Sequence, residues 1–296
     1  MAIEAFDRTV ARLVAQGGPS GEEYDELGQQ VVALHKKLGA GEISKEEIRA
    51  VLDRHGEPFT ERTLQGYALR KPRGYAGDFR IIDMIYQRRV SPDEHLARWD
   101  EYFQAQHAPN AVRNRKSYFH RVLDGHNHGP FRVLKLGIGP GRGMYEWLSR
   151  NPAARIDLEC VDVDKESVAS AAALNAEFRD RITFHTANVF RFVPAASRRY
   201  DLIWAAGLFD YFDDRAFARI ARRFFDFVRP GGEFVIGNFS TDNPTRPYME
   251  VFGDWYLRHR TPADLLRLAT EIAGEDVTAR VDQEDTAVNL FLHITR

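Results

Sequence analysis

The run Val133-Leu134-Lys135-Leu136-Gly137-Ile138-Gly139-Pro140-Gly141-Arg142-Gly143 carries an apolar strand into a glycine-rich turn and then a helix through Met144, Trp147 and Leu148. Glycines there permit positive φ and let a ligand approach the backbone with no Cβ in the way. In an open α/β sheet this first crossover, at the carboxyl ends of the strands, is where ligands bind. A dinucleotide fingerprint, G-x-G-x-x-G, would need glycine where Arg142 stands; the pattern is instead G-x-G-x-G, with Pro140 stiffening the turn. A tight turn with no ligand is the plainer alternative. The next apolar run, Ile156 to Val161, ends in Asp162-Val163-Asp164, about 20 residues on, where an acid can accept hydrogen bonds from ribose hydroxyls. Asp162, at the strand tip, is the better candidate, since Asp164 equally suits a cap for the helix from Lys165.

Other candidates follow along the chain. Trp204 to Phe212 reaches the same end of the sheet, so Asp210 and Tyr211 can orient a substrate or accept a proton; alternatively Leu208, Phe209 and Phe212 pack as core and Asp210 is solvated. Asn238 to Pro244, followed by Tyr248, Trp255 and Tyr256, makes either an aromatic wall for a small or acyl substrate or ordinary packing. In Arg70-Lys71-Pro72-Arg73-Gly74-Tyr75-Ala76-Gly77-Asp78-Phe79 two glycines flank an aromatic residue and a carboxylate follows. Such a hinge can place Tyr75 and Asp78 into a neighbouring site, or Asp78 can simply cap the helix through Ile82 and Ile85. His126 and His128, on a polar linker without a nearby ligand partner, read as solvated rather than as a metal site.

These residues need elements to hold them. The first 124 or so residues repeat apolar positions at spacings of three and four, which predicts helix after helix. Ser44 with Glu47 fits a capping box, Ser91-Pro92 with Glu94 a second cap, and a further helix covers Ala111 to Leu123. Turn formers in Asp124 to Pro130 mark a boundary, giving an all-helical N-terminal domain over 1–128 and an α/β domain over 129–296. Beyond it the pattern reads as strand 131–136, helix 142–150, strand 155–162, helix 165–178, strands 181–186 and 200–205, helix 214–228, strand 233–238, helix 262–273 and strands near 275–281 and 287–295. Pro230-Gly231-Gly232 turns a helix into the following strand.

At 296 residues, 44% hydrophobic, 28% charged and a net charge of −2, the chain is of ordinary globular make-up, with no case for nucleic acid as a partner. The single cysteine, Cys160, lies in an apolar run and reads as a small buried hydrophobe, which excludes disulfides and cysteine metal sites. No apolar run is long enough for membrane insertion, and Met1 to Asp7 lacks a secretory pattern, so a cytoplasmic protein is expected.

Leu136 to Gly143, Val161-Asp162-Val163-Asp164, Thr186-Ala187-Asn188-Val189 and Val228 to Glu233 together resemble the successive motifs of class I S-adenosylmethionine-dependent methyltransferases, over about residues 130 to 296. The resemblance implies a Rossmann-like, seven-stranded, mostly parallel sheet with helices on both faces and an antiparallel last strand. It puts Gly137, Gly139 and Gly141 beside the methionine part, Asp162 on the ribose, Val163 among the cofactor-binding residues, Asn188 at the adenine amine and Val189 contributing its amide. Asn188 stands where the family often has aspartate. Arg115, in the basic run Asn110 to Arg115, is then suited to clamp the methionine carboxylate, or to lie on a solvated helix face. The Gly-Tyr-Ala-Gly-Asp loop resembles that of a bacterial subgroup with a helical N-terminal cap. The cofactor implied is S-adenosylmethionine without a metal, its partner a small-molecule substrate. Tyr75 and Tyr211 suit a sulfonium neighbour. Three activities stay open: methyl transfer to a small or acyl acceptor, cyclisation of the cofactor to azetidine-2-carboxylate with release of methylthioadenosine, and non-catalytic binding as a regulator.

Overall fold

The computed structural model describes residues 2–296. The helices are α1 (Ala2–Ala15), α2 (Tyr24–Gly39), α3 (Lys45–Arg54), α4 (Leu64–Arg70), α5 (Phe79–Tyr86), α6 (Glu94–Ala105), α7 (His107–His126), α8 (Arg142–Arg150), α9 (Lys165–Leu174), α10 (Asp214–Phe225), α11 (Arg246–Phe252) and α12 (Pro262–Ala273). The strands are β1 (Phe131–Leu136), β2 (Ile156–Asp162), β3 (Ile182–Thr186), β4 (Tyr200–Ala206), β5 (Val228–Phe239), β6 (Thr278–Gln283) and β7 (Asn289–Thr295).

The chain divides into two units, one running to Asn110 and including Pro244–Tyr256, the other comprising Ala111–Asn243 and Leu257–Arg296. The sequence boundary at 128/129 sits elsewhere for two physical reasons. Helix α7 continues through the turn-forming residues to His126, and its Tyr118, Phe119 and Leu123 pack in one core with Phe131, Trp147 and Phe291. Residues 244–256 fold with the helices because all of Tyr248 to Phe252 is buried there, Phe252 stacking on Phe59 at 5.8 Å.

Within the helical unit, Phe59 also meets Trp99 edge-on at 5.6 Å, and Tyr102 meets Tyr248 at 5.3 Å. A Cβ on Gly66 would fall 2.0 Å from the Thr60 carbonyl oxygen, so α4 packs on that chain segment only through glycine. The Ser44–Glu47 capping box opens α3 as the spacing predicts. Helix α6 is capped by Asp93, which accepts from His95 N, and not by Ser91, whose amide is drawn instead to the buried Asp100.

In the second unit the strand order is β3-β2-β1-β4-β5-β7-β6. The first five strands are parallel, and β7 runs antiparallel to both β5 and β6. Alternation along the strands sends Leu134, Leu136 and Ile203 toward α10 and α12, and Val133, Cys160 and Trp204 toward α7 and α8. The order reverses at β1, so the crevice between the ends of β1 and β4 is the switch point at which such sheets bind ligands. Strand β5 begins earlier than its periodicity indicates, at Val228, because Gly232 tucks against β4, where a Cβ would lie 2.9 Å from the Asp201 carbonyl oxygen.

Candidate functional site

The loop after β1 turns on three left-handed glycines, Gly137 (φ 73°), Gly139 (φ 59°) and Gly141 (φ 74°). They serve different ends. A Cβ on Gly141 would meet Ala171 and Asn175 at 2.8 and 2.9 Å, so this glycine seats α8 against α9. One on Gly137 would make ordinary contact with Leu208, whereas one on Gly139 would meet nothing within 4 Å. Gly139 is therefore the position where bare backbone faces open space. From below, Asp162 Oδ2 accepts from Ile138 N (2.9 Å) and Gly139 N (3.4 Å), while its Oδ1 accepts from Asp164 N (3.0 Å). The carboxylate predicted at the ribose thus braces the loop first, and Oδ1 keeps a lone pair for a ligand hydroxyl. Asp164 caps α9, accepting from Glu166 N and Ser167 N.

Past β2 and β3 the surface turns apolar. Val163 is 65% exposed and Phe190 47%, two apolar side chains left open to solvent beyond the ends of β2 and β3. Between them Asn188 folds its side chain onto its own turn, Oδ1 accepting from Phe190 N at 2.8 Å, and Val189 packs on the core.

Across the crevice the end of β4 is different. Gly207 (φ 85°) leaves room for Arg115: a Cβ there would lie 2.8 Å from Nη1. Arg115 is 7% exposed, so the solvated-face alternative fails. Among the described residues it has neither a hydrogen bond nor an ion pair. Asp210, in the short 3-10 turn Phe209–Tyr211, is 1% exposed rather than solvated; its Oδ1 accepts from Phe239 N at 2.7 Å. Burial pushes its carboxyl up to about 6, opposed by that hydrogen bond and by Arg115 and Arg260. Tyr211 is half exposed beside it. Arg260 ties the turn down, donating to Asn238 Oδ1 (2.6 Å), the Phe212 carbonyl (2.6 Å) and Asp214 Oδ1 (3.0 Å).

Sequence reasoning missed Lys135. Its ammonium is buried under the loop and donates to the carbonyls of Gly137 (2.8 Å) and Ile138 (3.0 Å). Burial pulls it down to about 8. The signal was present: Lys135 is in phase with buried Val133, not with exposed Arg132.

Tyr75 and Asp78 lie in the helical unit. Asp78 caps α5, Oδ1 accepting from Arg80 N (2.8 Å), Ile81 N (3.2 Å) and the Tyr67 hydroxyl (3.3 Å), so the capping alternative holds; its Oδ2 is buried without a partner among the described residues. Tyr75 is 41% exposed between left-handed Gly74 and Gly77. Tyr248 is core packing, its hydroxyl donating to Gln65 Oε1 at 2.9 Å. A cavity of about 410 Å³ in this unit, walled by Lys45, Arg49, Leu69 and Tyr256, has its charges matched by Asp53 and Asp254. His126 is not solvated: it is the last residue of α7 and lies 3.1 Å from Glu233. Among the described residues no three His, Cys, Asp or Glu side chains gather to hold a metal, and no helix is long and apolar enough to cross a membrane.

Residues 133–232 match a family model described as a methyltransferase domain. No curated protein sequence matches the chain. Among solved structures, a possible exported protein from Bordetella parapertussis is similar at 18% identity and a TM-score of 0.63, over 86% of this chain and 97% of that one. A candidate O-methyltransferase from Nostoc punctiforme is similar at 14% identity and 0.53, over 80% and 72%. The pyocyanin biosynthetic protein PhzM is similar at 16% identity and 0.50, over 74% and 62%. The sheet order, the single antiparallel strand and the matched domain are those of the class I S-adenosylmethionine-dependent methyltransferase fold.

Proposed function

We propose that this chain, which carries the class I methyltransferase fold, is an S-adenosylmethionine-dependent methyltransferase acting on a small-molecule or acyl acceptor. The observation that carries the reading is the pairing of bare backbone at Gly139 with the buried guanidinium of Arg115, which has no hydrogen bond or ion pair among the described residues and lies against Gly207 at the end of β4, on the other side of the switch point. A nucleoside bearing an amino acid fits that pair: its sugar needs close backbone approach and its carboxylate a fixed cation. S-adenosylmethionine bound there supplies a methyl carbon made electrophilic by the positive sulfur.

In this reading Gly137, Gly139 and Gly141 shape the cradle, Asp162 Oδ1 takes a ribose hydroxyl, Val163 and Phe190 flank the base, and Asn188 with the Val189 amide recognises its edge. Arg115 holds the carboxylate. Asp210 is the proton acceptor: with Oδ1 committed to Phe239 N, Oδ2 is left to take a proton from the nucleophile, and a carboxyl near 6 is ionised at neutral pH yet basic enough to work. Tyr211 and Tyr75 are read as electron-rich faces for a cationic ligand, Asp78 as a holder of substrate hydrogen-bond donors, and the helical unit as a substrate-enclosing cap.

A second reading, cyclisation with release of methylthioadenosine, is favoured by the cations Arg115 and Lys135, because an ammonium group near them gives up its proton more readily and an attacking amine must be neutral. Incubating the purified protein with S-adenosylmethionine alone separates the readings. Adenosylhomocysteine that forms only when an acceptor is added supports methyl transfer. Methylthioadenosine formed without one supports cyclisation, and neither nucleoside under either condition leaves a binding role.

A further inference from the structure

We propose that the outer face of α10, together with the loop that follows β3, docks reversibly on an anionic lipid bilayer. The inference is independent of the reaction proposed above.

The net charge of −2 hides a local excess. Arg215, Arg219 and Arg222 stand at i, i+4 and i+7 of α10, all exposed, so they form one row along the helix. Arg223 and Arg191 flank it. Arg223 donates to the carbonyls of Val189 and Phe190, and the Phe190 ring meets Phe212, two residues ahead of α10, edge-on at 5.2 Å, so the loop lies along the helix. Past that anchorage the loop presents the exposed Arg191 and Val193, an apolar residue 60% open to solvent. Among the described residues the side chains of Arg191, Arg215 and Arg219 have no hydrogen bond or ion pair. Arg222 donates to the Glu271 carbonyl, which does not neutralise it. The acids at hand are Asp213, which caps the helix, Asp214, which pairs with Arg260 and Arg267, and Asp226 just past the helix end. They leave the arginines in excess.

A solvated helix face is the plainer explanation, and it accounts for Arg222 and Arg223, cations in the last turn where the helix dipole favours them. It does not account for the other two. Arg215 lies in the first turn, where the dipole disfavours a cation, and the Arg215–Arg219 and Arg219–Arg223 pairs set like charges at i, i+4, which destabilises a helix. Elsewhere the same spacing holds opposite charges: Arg49 with Asp53 on α3, Arg246 with Glu250 on α11 and Arg267 with Glu271 on α12. The row on α10 breaks that pattern, as a surface kept for an external anion does.

Two features favour a bilayer among anions. The apolar side of α10, with Phe217, Ile220, Ala221 and Phe224, is committed to the core, so a partner meets side-chain tips. A lipid headgroup layer takes arginine tips in any register, and the apolar layer beneath it takes Val193. An acidic protein gains most from an anchor residue seated in a pocket, and a nucleic acid offers phosphate without an apolar layer behind it.

The test is co-flotation of the full chain with vesicles of phosphatidylcholine alone and with about a third phosphatidylglycerol. Labelled polyglutamate and a short DNA duplex serve as soluble anions. Binding is expected on the anionic vesicles only and should weaken as salt rises. The double variant Arg215→Gln/Arg219→Gln should lose about twentyfold in vesicle affinity, roughly fivefold per arginine, and Val193→Ser about threefold. Arg215→Lys/Arg219→Lys, which keeps the charge, should retain most of the binding. Arg179→Gln is the control for charge alone, next to Phe178 in the core on the other side of the sheet; it should bind within about twofold of wild type. Relieving like charges should leave the glutamine variant melting no lower than wild type. No vesicle binding by wild type, equal binding to neutral vesicles, an unaffected double variant, or a loss shared by Arg179→Gln would overturn the proposal. Polyglutamate or DNA bound as tightly as anionic vesicles, with Val193→Ser unimpaired, would overturn it in favour of an acidic protein or nucleic acid.

Discussion

Two polar clusters of the sheet unit share helix α7 and do opposite things. Near the start of β5, Glu233 meets His126 at 3.1 Å and His293 Nδ1 at 2.7 Å, and the Tyr118 hydroxyl lies 2.7 Å from both His293 Nε2 and Asp282 Oδ2. Every charge there has a partner. At the ends of β1 and β4, Lys135 and Arg115 are buried without an ion pair among the described residues, although the Asp162 and Asp210 carboxylates act on them at longer range, and the Asp210 side chain accepts from Phe239 N. The two carboxylates register the difference. Burial acts against the charge of both, yet hydrogen bonds from His126 and His293 hold Glu233 down at about 2, whereas Asp210 rises to about 6. The closed cluster fastens α7 to the sheet. The open one leaves its cations without direct ion pairs among the described residues, which fits the binding role proposed above.

Asp210→Asn is the sharpest way to break that contrast. Asparagine still accepts from Phe239 N, so the turn is kept while the base is lost. Turnover should fall about a thousandfold, within the range for removing a general base. In wild type the rate should climb as pH rises through about 6 and then level; a pH–rate profile of the variant should lack that limb. The stability effect has the opposite sign. A carboxyl raised in the fold favours folding below its ordinary 3.8, and that contribution is lost as pH rises through about 6. The variant should therefore melt no lower than wild type at pH 7. A variant that melts earlier with turnover intact would place Asp210 in the closed class.

Glu233→Gln is the converse experiment and should cost stability without touching ligand affinity. Removing one partner from a buried network costs about 3 kcal/mol. The pH window follows from the direction of the shift: Glu233 stabilises the fold above its ordinary 4.5, and the contribution disappears as pH falls toward about 2. Urea unfolding should show wild type converging on the variant over that acid interval. An unchanged midpoint at pH 7 would mean that the cluster does not secure α7.

The same contrast explains what was legible in the sequence. Strand β1 and helices α8 and α12 have the bounds their periodicity predicts, because a buried parallel strand is a short apolar run and a glycine or threonine marks the helix start. Helix α11 carries no sequence signal, since a seven-residue helix with five consecutive buried residues has no amphipathic stripe. Its place in the helical unit depends on a packing partner, Phe59, distant in sequence. His126 reads as a linker residue in the sequence because its carboxylate partner, Glu233, is distant along the chain, in β5. Arg115 and Asp210 could be nominated by type and position, but only burial without a direct ion pair among the described residues distinguishes them from the chain's many other charged residues.

Arg115→Met tests the unsatisfied charge itself. Methionine fills much of the volume without the cation, so affinity for S-adenosylhomocysteine should drop about thirtyfold, or about 2 kcal/mol, the worth of a charge-assisted hydrogen bond. Stability should hold or rise, because an unpaired buried charge is removed. A fall in melting temperature comparable to that of Glu233→Gln would erase the distinction between the clusters.

Gly139→Ala is the smallest perturbation and the most local. The added methyl meets no neighbour, so any effect comes from forcing a side-chain-bearing residue to φ 59° and from the methyl standing where a ligand approaches. The strain is about 1 kcal/mol, and a shift of that size in the melting curve with nucleoside affinity unchanged would show that the loop only turns the chain. If Gly139 is instead the cradle, affinity should fall by more than the roughly fivefold that 1 kcal/mol explains. Gly141→Ala provides the control: its methyl runs into Ala171 and Asn175, so stability should drop first and binding only as a consequence.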